Sequence, residues 1–257
     1  MKTDLGLAGA VVLVTGGVRG VGKGICNVFL AHGARVITCA RHEPETPAAA
    51  EFARCDVRDE AQVAALVDGI VERHGRLDVV VNNAGGAPYT PAAEASPRLH
   101  EKIVQLNLLA PLLVAQRANA VMQRQDDGGS IVMISSVSGT RPSPGTAAYG
   151  AAKAGLDSLT ASLAVEWAPK VRVNALDVGM VRTERAHLHY GSEAAVEAVG
   201  KTVPLGRLAE PEEVGACAAF LASGLASYVS GATLRVHGGG EVPAFLAAAD
   251  VNHREDS

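Results

Sequence analysis

Short runs of β-branched residues alternate with longer helical patterns from one end of the sequence to the other, and this alternation most restricts the fold. The runs at residues 11–15, 35–39, 52–55, 77–81, 130–135, 171–176 and 233–236 are mostly continuous apolar stretches. Strands covered by helices on both faces read this way, whereas half-exposed strands alternate. Helical patterns occupy residues 22–32, 60–74, 97–124, 147–167 and 211–222, with a further stretch at 184–200. The expected architecture is α/β: one doubly wound (Rossmann) domain over residues 1–257, with a seven-stranded parallel sheet flanked by helices on both faces. The link at 41–52 is too short and proline-rich for a full helix. Residues 182–205 break the rhythm and read as a lid over a site, and residues 241–257 as a C-terminal tail.

A chain of 257 residues with 48% apolar and 19% charged side chains can bury one large core and is not disordered. Lys and Arg number 23 against 27 Asp and Glu, a net charge of −4, and no basic block stands out. That balance speaks against nucleic acid or a membrane surface as partner, and for a small molecule or self-association. Cys26, Cys39, Cys55 and Cys217 lack Cys-x-x-Cys or Cys/His ligand spacing, and His187 and His189, two apart on a helical pattern, do not face one way. No metal site is therefore expected. Free thiols, a first apolar run of strand length and no signal-peptide pattern make the cytoplasm the expected compartment.

The first run leads directly into Thr15-Gly16-Gly17-Val18-Arg19-Gly20-Val21-Gly22 and then a helix. Glycines here let the backbone approach a pyrophosphate at a helix N-terminus, whose free N–H groups and dipole favour negative charge. Where a carboxylate would bind the adenosine ribose of NAD, the sequence reads Ala40-Arg41-His42. Arg41 and Arg19 are suited to a ribose 2′-phosphate, so NADP(H) is favoured, with NAD(H) the alternative. Tyr149 and Lys153, four apart, share a helix face, and Ser136 ends the fifth run; all three are expected in one cleft. A tyrosine hydroxyl titrates near ~10, and a neighbouring ammonium is expected to bring it towards working range.

Thr15-Gly16-x-x-x-Gly20-x-Gly22, Asn82-Asn83-Ala84-Gly85, Asn107, Ser136 and Tyr149-x-x-x-Lys153 stand in the order and spacing of the short-chain dehydrogenase/reductase family. The sequence resembles that family from Val11 to about Gly239. The resemblance implies that Tyr149 is a general acid/base at a substrate oxygen and that Ser136 orients this oxygen. It implies that Lys153 holds the nicotinamide ribose and lowers the tyrosine pKa, and that Asn107 fixes a relay water. Implied cofactor contacts are Gly16, Arg19, Gly20, Val21, Gly22, Arg41, Asp56, Val57, Asn83, Ala84, Gly85, Tyr149, Lys153, Val181 and Thr183. A homotetramer is also implied, and Asn82 is read as tying strands together.

The implied reaction interconverts a carbonyl and a secondary alcohol. The small and apolar residues of 137–145 and Met180 favour an apolar ketone or a 3-oxoacyl thioester. Alternatives are an NAD-dependent secondary-alcohol dehydrogenase of steroid or polyol type, and a non-catalytic NADP-binding regulator. For an acyl group on an acidic carrier protein, Lys170 and Arg172 offer positive charge, against Asp126 and Asp127 nearby. Leu156, Leu159 and Leu163 form an apolar stripe that suits an internal or a subunit contact equally. Three departures from the family stand out: Asp177-Val178-Gly179 where Pro-Gly is usual, His237 where Asp is usual, and the short link at 41–52. The first is expected to be a turn with Asp177 hydrogen-bonded to nearby backbone.

Overall fold

The computed structural model describes residues 4–44 and 49–248. Its strands are β1 Val11–Thr15, β2 Arg35–Ala40, β3 Glu51–Arg54, β4 Val79–Asn82, β5 Gly129–Ile134, β6 Val171–Val178 and β7 Thr233–Val236. They form one seven-stranded sheet in the order β3-β2-β1-β4-β5-β6-β7, and every pairing is parallel. The strand order reverses between β1 and β4, which opens a crevice at the carboxyl ends of those two strands.

The helices are α1 Gly20–Ala31, α2 Glu60–His74, α3 Pro97–Val104, α4 Ala110–Met122, α5 Ala147–Glu166, α6 His187–Tyr190, α7 Glu193–Gly200, α8 Pro211–Ala222 and α9 Ala244–Ala248. Strand β1 shows why two layers form. Successive side chains point to opposite faces, so Val11 and Leu13 join a core with Val67, Val114 and Leu156, while Val12 and Val14 join another with Ile25, Phe29 and Val214. The first core lies under α2, α4 and α5, the second under α1 and α8.

Several expectations are corrected. The helix expected over 97–124 is two α-helices joined by a π-helical turn, Gln105–Leu109, which contains Asn107. The stretch expected over 184–200 is α6 and α7, separated at Gly191, whose φ of +88° ends the first helix. Strand β6 runs two residues past its expected end, because Val178, unlike proline, leaves the ladder intact and Gly179 N–H still reaches the Val236 carbonyl at 2.9 Å. Leu156 and Leu163 are buried in the core under α5 and Leu159 packs against it, so the stripe is an internal contact. Residues 249–257 of the tail and 45–48 of the link lie outside the described residues. Within those described, no helix is long and apolar enough to cross a membrane.

Two further placements bear on function. Helices α6 and α7, in the segment expected to be a lid, lie beside a small core of their own, Ala186, Val196 and Leu208 with Met180, Tyr190 and Val199, separate from the two main cores. The acidic and basic residues weighed for carrier docking lie where β5 and β6 begin, at the edge of the sheet opposite the crevice. There Lys170 Nζ donates to the Gln125 carbonyl at 2.6 Å, Asp127 pairs with Arg76 at 3.3 Å, and Arg172 is tucked onto the carbonyls of Leu221 and Val229 at 2.8 and 3.1 Å.

Candidate active site

At the carboxyl end of β1 the chain turns sharply and enters α1. The turn is stapled to the end of β4: Asn83 Nδ2 donates to the carbonyls of Thr15 and Gly16 at 2.9 and 3.1 Å. Thr15 Oγ1 accepts the N–H groups of Asn83 and Ala84, both at 3.0 Å. Thr38, a residue that no sequence motif singles out, supports the turn from β2, its Oγ1 accepting Gly17 N–H at 2.8 Å and donating to the Val14 carbonyl at 2.9 Å. Gly22 is obligatory here, since a Cβ would lie 2.4 Å from both Asn83 Nδ2 and the Gly16 oxygen.

The result is a cradle of bare backbone at the start of a twelve-residue helix. Arg19 provides no side-chain cap, and the first turn of α1 has no acidic residue. Such an end offers N–H donors and positive dipole, which fits a pyrophosphate. Thr183 closes it from the lid, its methyl carbon 3.4 Å from where a Gly20 Cβ would stand, and Val181 is held by a parallel bridge to Ala209.

At the end of β2, Arg41 is exposed. No carboxylate lies beside it on β2, and the nearby Asp56 is already engaged by Arg58 through contacts of 2.6 and 2.9 Å. Arg58 holds the Asp56 carboxyl below its usual range, with a smaller contribution from Arg41. The signal for Arg58 was available in the sequence, an arginine two residues beyond the aspartate. Val57, beside it, is buried.

The second cluster forms where β5 meets α5. The turn after β5 approaches α5 so closely that a Cβ on Gly139 would stand 2.7 Å from Ala154 N, and one on Gly150 would stand 2.6 Å from the Ser138 carbonyl oxygen. This contact brings Ser136 beside Tyr149, close enough for its hydroxyl to oppose the upward shift of the tyrosine. Lys153, four residues along, is buried, with Nζ 5.6 Å from the tyrosine ring centre and donating to the Ile134 carbonyl at 2.6 Å. Gly85 lies between Lys153 and Asn107: a Cβ there would meet Asn107 Oδ1 at 2.7 Å and Lys153 Nζ at 3.6 Å. Asn107 spends its amide on backbone, accepting Gly86 N–H at 2.8 Å and donating to the Gly86 and Ile103 carbonyls, both at 2.9 Å. Asn82 donates to the Pro111 carbonyl at 3.1 Å and so ties β4 to α4.

The electrostatics differ from expectation. Burial pushes the Tyr149 hydroxyl above its ordinary value; the neighbouring Ser136 hydroxyl opposes this and the charge of Asp177 adds to it. Lys153 does not bring the tyrosine down in this state, because burial pushes the ammonium itself down to about 8. Asp157, on the next turn of α5, is raised by burial to about 6. Asp177 is not in a turn but inside β6, fully buried, with Oδ2 accepting from Thr140 Oγ1 at 3.4 Å and Oδ1 without a partner among the described residues. Its carboxyl is raised by desolvation, opposed by Thr140 and by the charges of Arg235 and His237. At the mouth of the cleft Arg141 pairs with Glu241 at 2.7 Å, and the ring of Tyr89 lies against the backbone of Gly145.

The chain is similar to known proteins over most of its length. Residues 16–241 match the family described as enoyl-(acyl carrier protein) reductase. L-fucose dehydrogenase of Oryctolagus cuniculus is 38% identical over 254 residues, covering 94% of this chain and 88% of that one. D-threitol dehydrogenase of Mycolicibacterium smegmatis is 35% identical over 248 residues, covering 92% and 94%. The structure of the ligand-free aldohexose dehydrogenase of Thermoplasma acidophilum superposes with a TM-score of 0.87 at 33% identity, covering 92% of this chain and 96% of that chain.

Proposed function

Because the chain belongs to the short-chain dehydrogenase/reductase family and is an oxidoreductase, we propose that it interconverts a secondary hydroxyl and a carbonyl on a polyhydroxylated small molecule of the sugar or alditol class. The observation that carries the reaction type is the convergence of Ser136, Tyr149 and Lys153, with Lys153 Nζ 5.6 Å from the tyrosine ring centre, beside a glycine cradle that Arg19 does not cap. In the reductive direction Tyr149 gives its proton to the substrate oxygen, and in the oxidative direction it takes one. Ser136 hydrogen-bonds the same oxygen and fixes its position. Lys153, with a depressed pKa, is ready to exchange a proton near pH 8. Asn107 holds the Gly86 loop against the π-helical turn and so fixes the wall beside Lys153.

A nicotinamide cofactor, when bound, supplies or accepts the hydride. Gly16, Gly20, Val21 and Gly22 would take its pyrophosphate, Asn83, Ala84 and Gly85 would border it, and Val181 and Thr183 would close on it. NADP(H) is the preferred form in this reading, supported by the exposed Arg41 and by an Asp56 already paired with Arg58. The polyol class is preferred over an apolar ketone by the charged Arg141–Glu241 mouth and by similarity to fucose, threitol and aldohexose dehydrogenases. The 3-oxoacyl alternative loses the support of Lys170 and Arg172, which stand at the opposite edge of the sheet. A homotetramer belongs to the same reading, supported by the exposed Leu234 on the outer strand and the fully exposed Tyr228 near it.

The test is turnover with NADP⁺ and NAD⁺ across aldoses, alditols, steroid alcohols and 3-hydroxyacyl thioesters, with Tyr149→Phe as control. Sugar or alditol oxidation that falls by about 10²–10⁴-fold in the control supports the proposal. Turnover confined to thioesters or steroids, or unchanged in Tyr149→Phe, overturns it.

A further inference from the structure

We propose that Glu184 is a tethered stand-in for the cofactor's pyrophosphate: its carboxylate sits on the N-terminus of α1, and a dinucleotide binds only by displacing it. This one side chain thereby sets cofactor affinity. The inference rests on the glycine cradle being a dinucleotide site.

Both carboxylate oxygens of Glu184 accept from Gly20 N–H, at 3.1 and 3.2 Å, across 164 residues of sequence. Nothing in the local sequence of α1 supplies an anion at this end: Arg19 gives no side-chain cap and the first turn has no acidic residue. A helix start with free donors and positive dipole takes whatever negative group is in reach, and here it is a residue of the lid. A phosphate seated at the same donors would meet Glu184 both sterically and as a like charge. The two anions therefore exclude each other.

The lid is built so that Glu184 can leave. Its base is held by the Val181–Ala209 bridge and by Arg182 N–H on the Ala209 carbonyl at 2.8 Å. Glu184 lies beyond that anchor, is exposed, and contributes nothing to either main core. The helices after it rest on their own cluster around Ala186, Val196 and Leu208. Swinging Glu184 off Gly20 breaks one hydrogen-bonded contact and no core packing. Since pyrophosphate is common to both dinucleotides, the effect is blind to the 2′-phosphate, in contrast to anything done by Arg41.

The test compares dissociation constants of NADPH, NADH and inorganic pyrophosphate, by calorimetry, for the wild-type protein, Glu184→Gln and Glu184→Ala. Removing a surface carboxylate from a helix N-terminus corresponds to about two- to fivefold, so both dinucleotides should bind that much tighter, by the same factor, and pyrophosphate should follow. In cofactor-free protein the Gly20 amide resonance should also shift between wild type and Glu184→Gln. Unchanged or weaker dinucleotide binding in both variants, or an unmoved Gly20 resonance, overturns the inference and leaves the dinucleotide reading standing. Absence of binding by either dinucleotide to wild type and variants alike overturns that reading and the inference together.

Discussion

In the floor of the cleft, Asn83 alone makes three hydrogen bonds of 2.9–3.1 Å to Thr15 and Gly16, and the strands beneath are buried on both faces. In the lid, α6 has four residues, Leu188 is 66% exposed, and the packing comes down to a few side chains around Val196. The floor is cross-linked by short hydrogen bonds between strands, whereas the lid packs chiefly on itself and is held mainly at its base. Dense cross-linking and looser packing are thus assigned to different parts of one chain.

The contrast breaks most decisively at Gly22. In Gly22→Ala the new methyl would stand 2.4 Å from Asn83 Nδ2 and from the Gly16 oxygen, so the staple must open. Dinucleotide binding measured by fluorescence titration should be lost, and unfolding should show a cost on the order of 1–3 kcal/mol. Retained affinity would mean that the staple does not shape the turn.

A smaller effect is expected just under the floor, at Asp157. Its folded-state carboxyl is raised from 3.8 to about 6, so the folded chain binds that proton more tightly than the unfolded one. Stability contributed by this group therefore falls as pH rises between those values, and its burial is fully unfavourable above pH 6. Asp157→Asn should raise stability by about 1 kcal/mol near pH 7.5, part of the gain being offset because Lys153 loses a neighbouring charge. Denaturant titrations at pH 7.5 and 4.5 check this, since the advantage should shrink markedly at the lower pH. An equal gain at both would remove ionisation as the cause.

The smallest stability effect belongs to the lid. Leu188→Ser should change unfolding free energy by no more than ~0.5 kcal/mol while altering KM for substrate. A loss of several kcal/mol would show that the lid is part of the main core after all, and the contrast between floor and lid would fail.

The floor is legible in the sequence because its determinants are local. Glycines at fixed offsets after an apolar run, and a tyrosine four residues before a lysine on one helix, encode their own geometry. What is not legible depends on contacts far apart in the chain. Glu184 reaches Gly20 across the fold, and no periodicity announces it. The π-helical turn at Gln105–Leu109 leaves the apolar pattern looking like one continuous helix, because a single extra residue per turn shifts the phase too little to read. The direction of the tyrosine shift escapes the sequence because helix spacing brings Lys153 close but says nothing of how deeply both groups are enclosed. Asp177 is expected in a turn because proline is usual beside it; with Val178 in that place the strand simply continues and carries the carboxylate inside.

The bridge between Val181 and Ala209 brings the two ends of the lid side by side. A segment whose ends already meet can be lengthened, shortened or exchanged with only a slowly growing entropic penalty and no strain on the sheet. The stretch between those two residues is therefore free to vary in length and sequence without disturbing the sheet that carries Ser136 and the helix that carries Tyr149 and Lys153.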